Sequence, residues 1–204
     1  YVAMDAPVKF VVIKVSNRSD RPRRLSLTAY WELVLGEWRH ANHMHIVTEV
    51  DTHSGGLFAR NAYGRGCGDR LFFAHVSGQV SSVSGSRSAF LGRNGTLKNP
   101  VAMQRKRLSG ITGAGLDPCA ALQSHIELAV GQEQEVVFIL GATEHADAAR
   151  QLIQKFGTPV AAREALQAVW QYWKHTLEAV QVETPDPALD VLTNGWLLYQ
   201  TISC

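Results

Sequence analysis

Two facing carboxylates are the usual equipment for hydrolysing a glycosidic bond. Glu32, Asp51, Asp69, Asp117 and Glu127 are the candidates in this 204-residue chain, and nothing in their spacing marks any two as facing each other. Asp117 stands apart because it lies in a glycine- and proline-rich stretch. Its simpler role there is a turn or cap residue before Pro118. No Ser/His/Asp or Cys/His arrangement for nucleophilic catalysis stands out, so no catalytic residue is assigned. His40, His43, His45 and His53 cluster, and His43 and His45 would share one face of a strand, an arrangement that suits a metal. No carboxylate or cysteine completes the set, so the segment reads as an ordinary strand entry and no metal is expected. Gly113-Ala114-Gly115 is a lone GxG. It runs into Leu116-Asp117-Pro118 rather than a helix, which argues against a dinucleotide site.

What remains is recognition chemistry, concentrated in residues 90–122, FLGRNGTLKNPVAMQRKRLSGITGAGLDPCAAL. Its glycines and prolines exclude regular strand or helix over most of its length. A loop this long in a compact domain is functional or disordered, and its apolar ends, Phe90-Leu91 and Ala120 to Leu122, favour order. Arg93, Asn94, Lys98 and Asn99 offer planar or charged hydrogen-bonding groups. Asn, Arg and Asp read the dense hydroxyls of sugars by paired hydrogen bonds. Tyr63 and Phe90 are candidates for an aromatic face. An ordered surface loop without ligand stays open beside this reading. The basic run Arg105 to Arg107 lies in the same stretch.

The elements that would position these groups are mostly strands. VKFVVIKV (8–15) and LSLTAYWELVL (25–35) flank a turn cluster at 17–20 and read as an antiparallel hairpin; the arginines at its end, 18, 21, 23 and 24, read as solvated charges. MHIVTEV (44–50), LFARNAY (57–63) and LFFAHV (71–76) are further strands, and the polar 80–84 belongs at an edge. AALQSHIELAV (120–130) and EVVFIL (135–140) read as a last hairpin through Gly131-Gln132. This pattern predicts an antiparallel β-sandwich over 1–142. At 141–143 the period changes. A helix over 144–156 ends at Gly157, and Thr158-Pro159 caps a second whose stripe of Leu166, Val169, Trp170, Trp173, Leu177 and Val180 predicts packing against the sandwich. This helical linker spans 143–184. Asp186-Pro187 opens a third helix, apolar nearly all round, as expected of a buried helix of a further domain over 185–204.

The composition sets bounds. The chain is 46% hydrophobic, ample for a core, and its net charge of +2 gives no reason to expect nucleic acid as a partner. Cys67, Cys119 and Cys204 form no CxxC, which fits a reducing compartment. No stretch approaches the roughly 20 apolar residues of a membrane span and no signal-peptide pattern appears, so a cytoplasmic location is expected. The start at Tyr1 and the stop within an apolar helical pattern read as a segment of a longer polypeptide.

YWELVLGEWR, LFARNAY, FLGRNGTLKNP, GAGLDPCAALQ and NGWLLYQTISC, in that order, resemble glycoside hydrolase family 94, the cellobiose-phosphorylase-like enzymes. The phrasing is that of the phosphorylase-like region of cyclic β-1,2-glucan synthases. The resemblance covers essentially the whole chain. It implies a super-sandwich, linker helices and the first helix of a truncated (α/α)6 barrel that continues beyond Cys204. It also implies inverting phosphorolysis of a β-glucosidic bond, in which inorganic phosphate replaces water as co-substrate and no other cofactor is needed. The family's general acid is an aspartate of the barrel, so it maps to no residue here. By resemblance the 91–100 loop, with Arg93 and Asn94, is the best candidate for substrate contact, Asp117 follows, and Tyr199 and Gln200 match a WxxYQ signature. Expected partners are a β-glucan, the remaining barrel and a second copy of the chain in a homodimer, with attachment to an inner-membrane synthase as one setting. A non-catalytic carbohydrate-binding sandwich and a purely structural domain remain as alternatives.

Overall fold

The computed structural model describes residues 1–63 and 70–203; Cys67, Asp69 and Cys204 lie outside the described residues. In chain order come β1 (Val8–Ser16), β2 (Arg23–Glu32), α1 (Arg39–Asn42), β3 (Ile46–Val50), β4 (Leu57–Asn61), β5 (Leu71–Val76), β6 (Ser82–Ser86), α2 (Arg87–Leu91), β7 (Pro118–Leu128) and β8 (Glu133–Thr143). Then come α3 (Ala146–Phe156), α4 (Pro159–Leu177), α5 (Pro187–Val191) and α6 (Leu197–Ser203). The strands form two antiparallel sheets, one ordered β1-β8-β5-β4-β3 and the other β2-β7-β6.

Strand alternation sorts the side chains into three layers. Phe138 and Val136 of β8, Ala74 and Val76 of β5 and Leu57 of β4 point inward and meet Leu122, Ile126 and Leu128 of β7. The opposite face of the larger sheet, with Val8, Phe10, Phe73, Val137 and Ile139, is covered by Ala149, Ile153 and Phe156 of α3 and Ala162 of α4. The central strands of the larger sheet, β5 and β8, are therefore buried on both faces over most of their length. That is why VVFI in β8 reads as an unbroken apolar run rather than an alternation. Each such side chain contributes about 1.5–3 kcal/mol on full burial. The polar β6 lies at the edge of the small sheet, where its composition put it.

Neither expected hairpin forms. β1 pairs with β8 and β2 with β7, so the 17–22 and 129–132 connections each cross from one sheet to the other. The two crossings lie side by side and are joined through Asn17, which is buried. Its Nδ2 donates to the carbonyls of Arg21, Leu128 and Ala129 at 2.9–3.1 Å. Its Oδ1 accepts from the Ser19 backbone and hydroxyl, and the Asn17 backbone bonds Gln132 O and Gly131 N. Local turn chemistry looks alike in a hairpin and in a crossing; burial of opposite strand faces selects the crossing.

The helix caps follow the sequence. Thr158 Oγ1 accepts from Ala161 N with Pro159 in the first turn, and Asp186 Oδ1 accepts from Ala188 N ahead of α5. The packing of α4 differs from expectation. Ala162 alone is fully buried, and Trp170 is 60% exposed. Only the first turns of α4 reach the sheet, where Tyr1 Oη donates to Ala162 O (2.5 Å) and Arg163 pairs with Glu135 (2.5 Å). The far end carries Trp173 against Tyr199 of α6, ring centroids 5.6 Å apart. The third helix is broken by a π-turn at Leu192–Trp196, and Leu189, Val191, Trp196, Leu197 and Ile202 are exposed.

His75 of β5 is the one buried histidine among the described residues. Its Nδ1 has no partner, and it lies under Gly157 at the C-terminus of α3. Burial lowers its pKa below the usual 6.5. The unfolded chain therefore binds the proton more readily, so stability is full above about pH 6.5 and declines as pH falls through the lowered native value. Unfolding by urea at pH 7.0, 6.0 and 5.0 should show this decline. H75Q should remove that part of the slope; an unchanged slope would assign it elsewhere.

Candidate functional site

The 90–117 stretch is built onto the outer face of the small sheet. Ser86 Oγ caps α2 by accepting from Ala89 N. Phe90, Leu91, Ala102 and Leu108 pack on Cys119 and Ala121 of β7, with Tyr30 stacked on Phe90 at 4.6 Å. Phe90 is therefore core and presents no face to a ligand. Burial pushes the Tyr30 hydroxyl and the Cys119 thiol up to about 12, so neither ionises at neutral pH. Further on, Gly110 N bonds Val83 O, Gly113 bridges Thr48 of β3, and Arg87 N bonds Asp117 O.

Between these anchors, residues 92–99 stand out from the surface. Gly95 N bonds Gly92 O (3.1 Å), which closes a turn around Arg93 and Asn94. Asn94 takes a left-handed φ of 62°, and a Cβ on Gly95 would collide with Leu91 O. The turn thus presents the exposed side chains of Arg93 and Asn94 on a constrained backbone.

Asp117 has a different setting. Arg39 contacts Glu32 (2.7 Å) and Asp117, while Arg87 contacts Glu32 (3.5 Å) and Asp117 (3.2 Å). Two guanidiniums and two carboxylates alternate, each about one-third exposed, and fix the segment after β2, the start of α2 and the entry to β7. Asp117 serves here as a counter-ion to Arg39 and Arg87. Beside it an open hollow of about 400 Å³ is lined by Arg39, His40, His43 and Asp117. Trp38 adjoins it, 64% exposed, its ring 6.4 Å from that of His40. The Trp38 segment is held by Asn42 Nδ2 to Trp38 O and by Asn61 Nδ2 to Leu35 O and Asn42 Oδ1.

No motif or spacing in the sequence marks Trp38 as a site residue. Its signal was a tryptophan among polar residues, outside any strand or helix period. Tyr63 is 78% exposed, edge-on to His45. His43–His45 form a 3₁₀ turn rather than strand, because β3 begins only at Ile46, so the two histidines do not share a strand face. Among the described residues no group of three or more His, Cys, Asp and Glu is arranged to hold a metal ion. Tyr199 and Gln200 lie on α6, where Tyr199 meets Trp173 and Trp196. No hydrogen bond or ion pair among the described residues joins Arg93 or Asn94 to Asp117, Tyr199 or Gln200. The five candidates thus sit in three places.

Two antiparallel sheets in a sandwich, one backed by helices and the other by a long ordered loop with exposed aromatic and planar polar groups, define a supersandwich domain. The chain belongs to glycoside hydrolase family 94: the model described as "Glycosyl hydrolase 94, supersandwich domain" matches residues 1–159. The cyclic β-(1,2)-glucan synthase NdvB of Rhizobium meliloti is 33% identical over 199 residues, 97% of this chain and 7% of that protein. Cellobionic acid phosphorylase of Neurospora crassa is 30% identical, over 91% of this chain and 24% of its own. N,N′-diacetylchitobiose phosphorylase of Vibrio furnissii is 26% identical, over 94% and 24%. The chain spans about a quarter or less of these relatives.

Proposed function

We propose that this chain is the supersandwich part of a phosphorylase-like enzyme acting on β-linked glucans, in phosphorolysis or in chain-length control during cyclic β-1,2-glucan synthesis. The observation that carries this reading is the family match over residues 1–159, together with the sequence similarity to a glucan synthase and to several phosphorylases. In inverting phosphorolysis, phosphate attacks the anomeric carbon while one protonated carboxyl gives its proton to the leaving oxygen. Phosphate needs no general base, so a second carboxylate is dispensable. The acid belongs to the barrel that follows in such enzymes. The supersandwich contributes contacts: Arg93 and Asn94 on their constrained turn, with Trp38 offering a stacking face beside Arg39 and Asp117.

The exposed apolar side chains of α4 to α6, including Tyr199, suit packing against further helices of the same polypeptide. Gln200 belongs to that surface. Homodimer contacts through the sandwich, and a cytoplasmic enzyme attached to an inner-membrane synthase, complete the setting. Among the described residues no helix is long and apolar enough to cross a membrane.

The test is R93A/N94A in the full-length enzyme. The expected result is a KM for glucan raised about tenfold with kcat little changed, the signature of lost binding made equally in ground and transition states. Unchanged KM and kcat would leave the turn a scaffold. The exposed Trp38 and Tyr63 also favour a second reading, a non-catalytic carbohydrate-binding module. Calorimetry of this chain with β-glucan separates the two, since tight binding without the rest of the polypeptide belongs only to the module.

A further inference from the structure

The outer face of the small sheet carries a second surface, away from the 92–99 turn. Side chains of β2 and β7 alternate so that Arg24 stands opposite Glu127, Ser26 opposite His125 and Thr28 opposite Gln123. Residues 105–107 pass over this row and enclose an open groove of about 780 Å³. The basic run is held in place. Arg107 Nη2 donates to Ser81 O (3.0 Å), Leu108 N donates to Ser82 Oγ (2.9 Å), and the Leu108 side chain is buried.

The charge is lopsided. Arg24, Arg105, Lys106 and Arg107 line the groove against a single carboxylate, Glu127, which pairs with Arg24 (2.9 Å). Among the described residues Arg105, Lys106 and Arg107 have no carboxylate partner. The groove therefore carries more positive charge than the net +2 of the whole chain. Its floor supplies the Ser26 hydroxyl and the His125 imidazole, and the row continues to Thr28, whose hydroxyl is buried without a partner. A run kept only for solubility needs no such floor and no pinning.

We propose that this groove binds a phosphomonoester, with the phosphate group on Arg105 to Arg107 and a sugar portion over Ser26 and His125. Guanidiniums match phosphate oxygens in paired hydrogen bonds, and the floor offers donors and acceptors for hydroxyls. The inference does not depend on the catalytic reading above, since it concerns binding at a named surface.

The experiment is hydrogen-exchange mass spectrometry of the full-length protein with glucose 6-phosphate, inorganic phosphate or glucose, read in peptides covering residues 23–28, 104–110 and 123–128. The local readout separates this groove from any other phosphate site of the polypeptide. Protection by glucose 6-phosphate and not by glucose is expected, weakening as salt rises. In R105A/K106A/R107A the concentration for half-maximal protection should rise at least about tenfold, which is about 1.4 kcal/mol. Protection by the ester and not by inorganic phosphate supports the proposal; equal protection by inorganic phosphate would overturn the sugar contacts at Ser26 and His125 and leave an anion site. No protection by either, or protection that survives the triple substitution, overturns the groove. Turnover of the same variant is measured in parallel: normal turnover with lost protection leaves the catalytic reading intact, and lost turnover with retained protection tells against the groove alone.

Discussion

N17D should lose about 4 kcal/mol of stability, enough to consume much of the 5–15 kcal/mol that holds a typical domain folded. The amide nitrogen of Asn17 faces three carbonyl oxygens at 2.9–3.1 Å. A carboxylate there can donate nothing while ionised and sets its charge against three acceptors in a buried corner. N17A should cost less, about 2–3 kcal/mol, because it removes the donor without adding a charge. Urea unfolding at pH 7, with the wild-type slope retained, checks both. Should N17D and N17A prove equal, the repulsion argument fails; should both cost under about 1 kcal/mol, the corner is not held by this side chain.

D51A comes next, at about 3 kcal/mol. Asp51 is buried after β3, where its Oδ2 accepts from Ser54 N and Oγ and its Oδ1 takes a fork from Arg150 of α3 at 2.6 and 3.1 Å. Removing it leaves those donors without an acceptor and frees α3 from the β3–β4 corner. Arg150 holds the Asp51 carboxyl well below the usual carboxylate range. A depressed native value means that the ionised form stabilises the fold above the unfolded pKa, near 4. The contribution is lost as pH falls from there toward the native value. D51N should therefore show a flatter loss of stability between pH 4 and 2 than the wild type. Parallel acid limbs would place the acid sensitivity in other carboxylates.

How far the chain could be read without coordinates varies by element. The strands and the caps at Thr158 and Asp186 were legible because they rest on period and on local hydrogen bonding. The crossings at Asn17 and Gly131 were not. A turn cluster states that the chain reverses, while the sheet each strand joins depends on partners roughly ninety to a hundred and thirty residues away. The stripe on α4 was visible, but a stripe does not name what covers it. Among the candidate site residues, the turn that carries Arg93 and Asn94 was legible from the glycines around it. The pairing of Asp117 with Arg39 and Arg87 joins three segments distant in sequence. Phe90 is by type a candidate for an aromatic face as well as an apolar anchor, and its position places it in the core against Tyr30.

The wiring of the two sheets also governs the order in which the chain can acquire structure. β1 and β2 find their partners only in β8 and β7, at the opposite end of the sandwich sequence. A chain emerging from the ribosome therefore carries β2 without its partner strand until Leu128 has been made, and β1 until Thr143. Such non-local pairing closes large loops before any contact repays them, which slows folding and lengthens exposure of aggregation-prone edges. The arginines at 18, 21, 23 and 24, set at the crossing and along the start of β2, give that waiting segment a charge that discourages premature pairing with its neighbours.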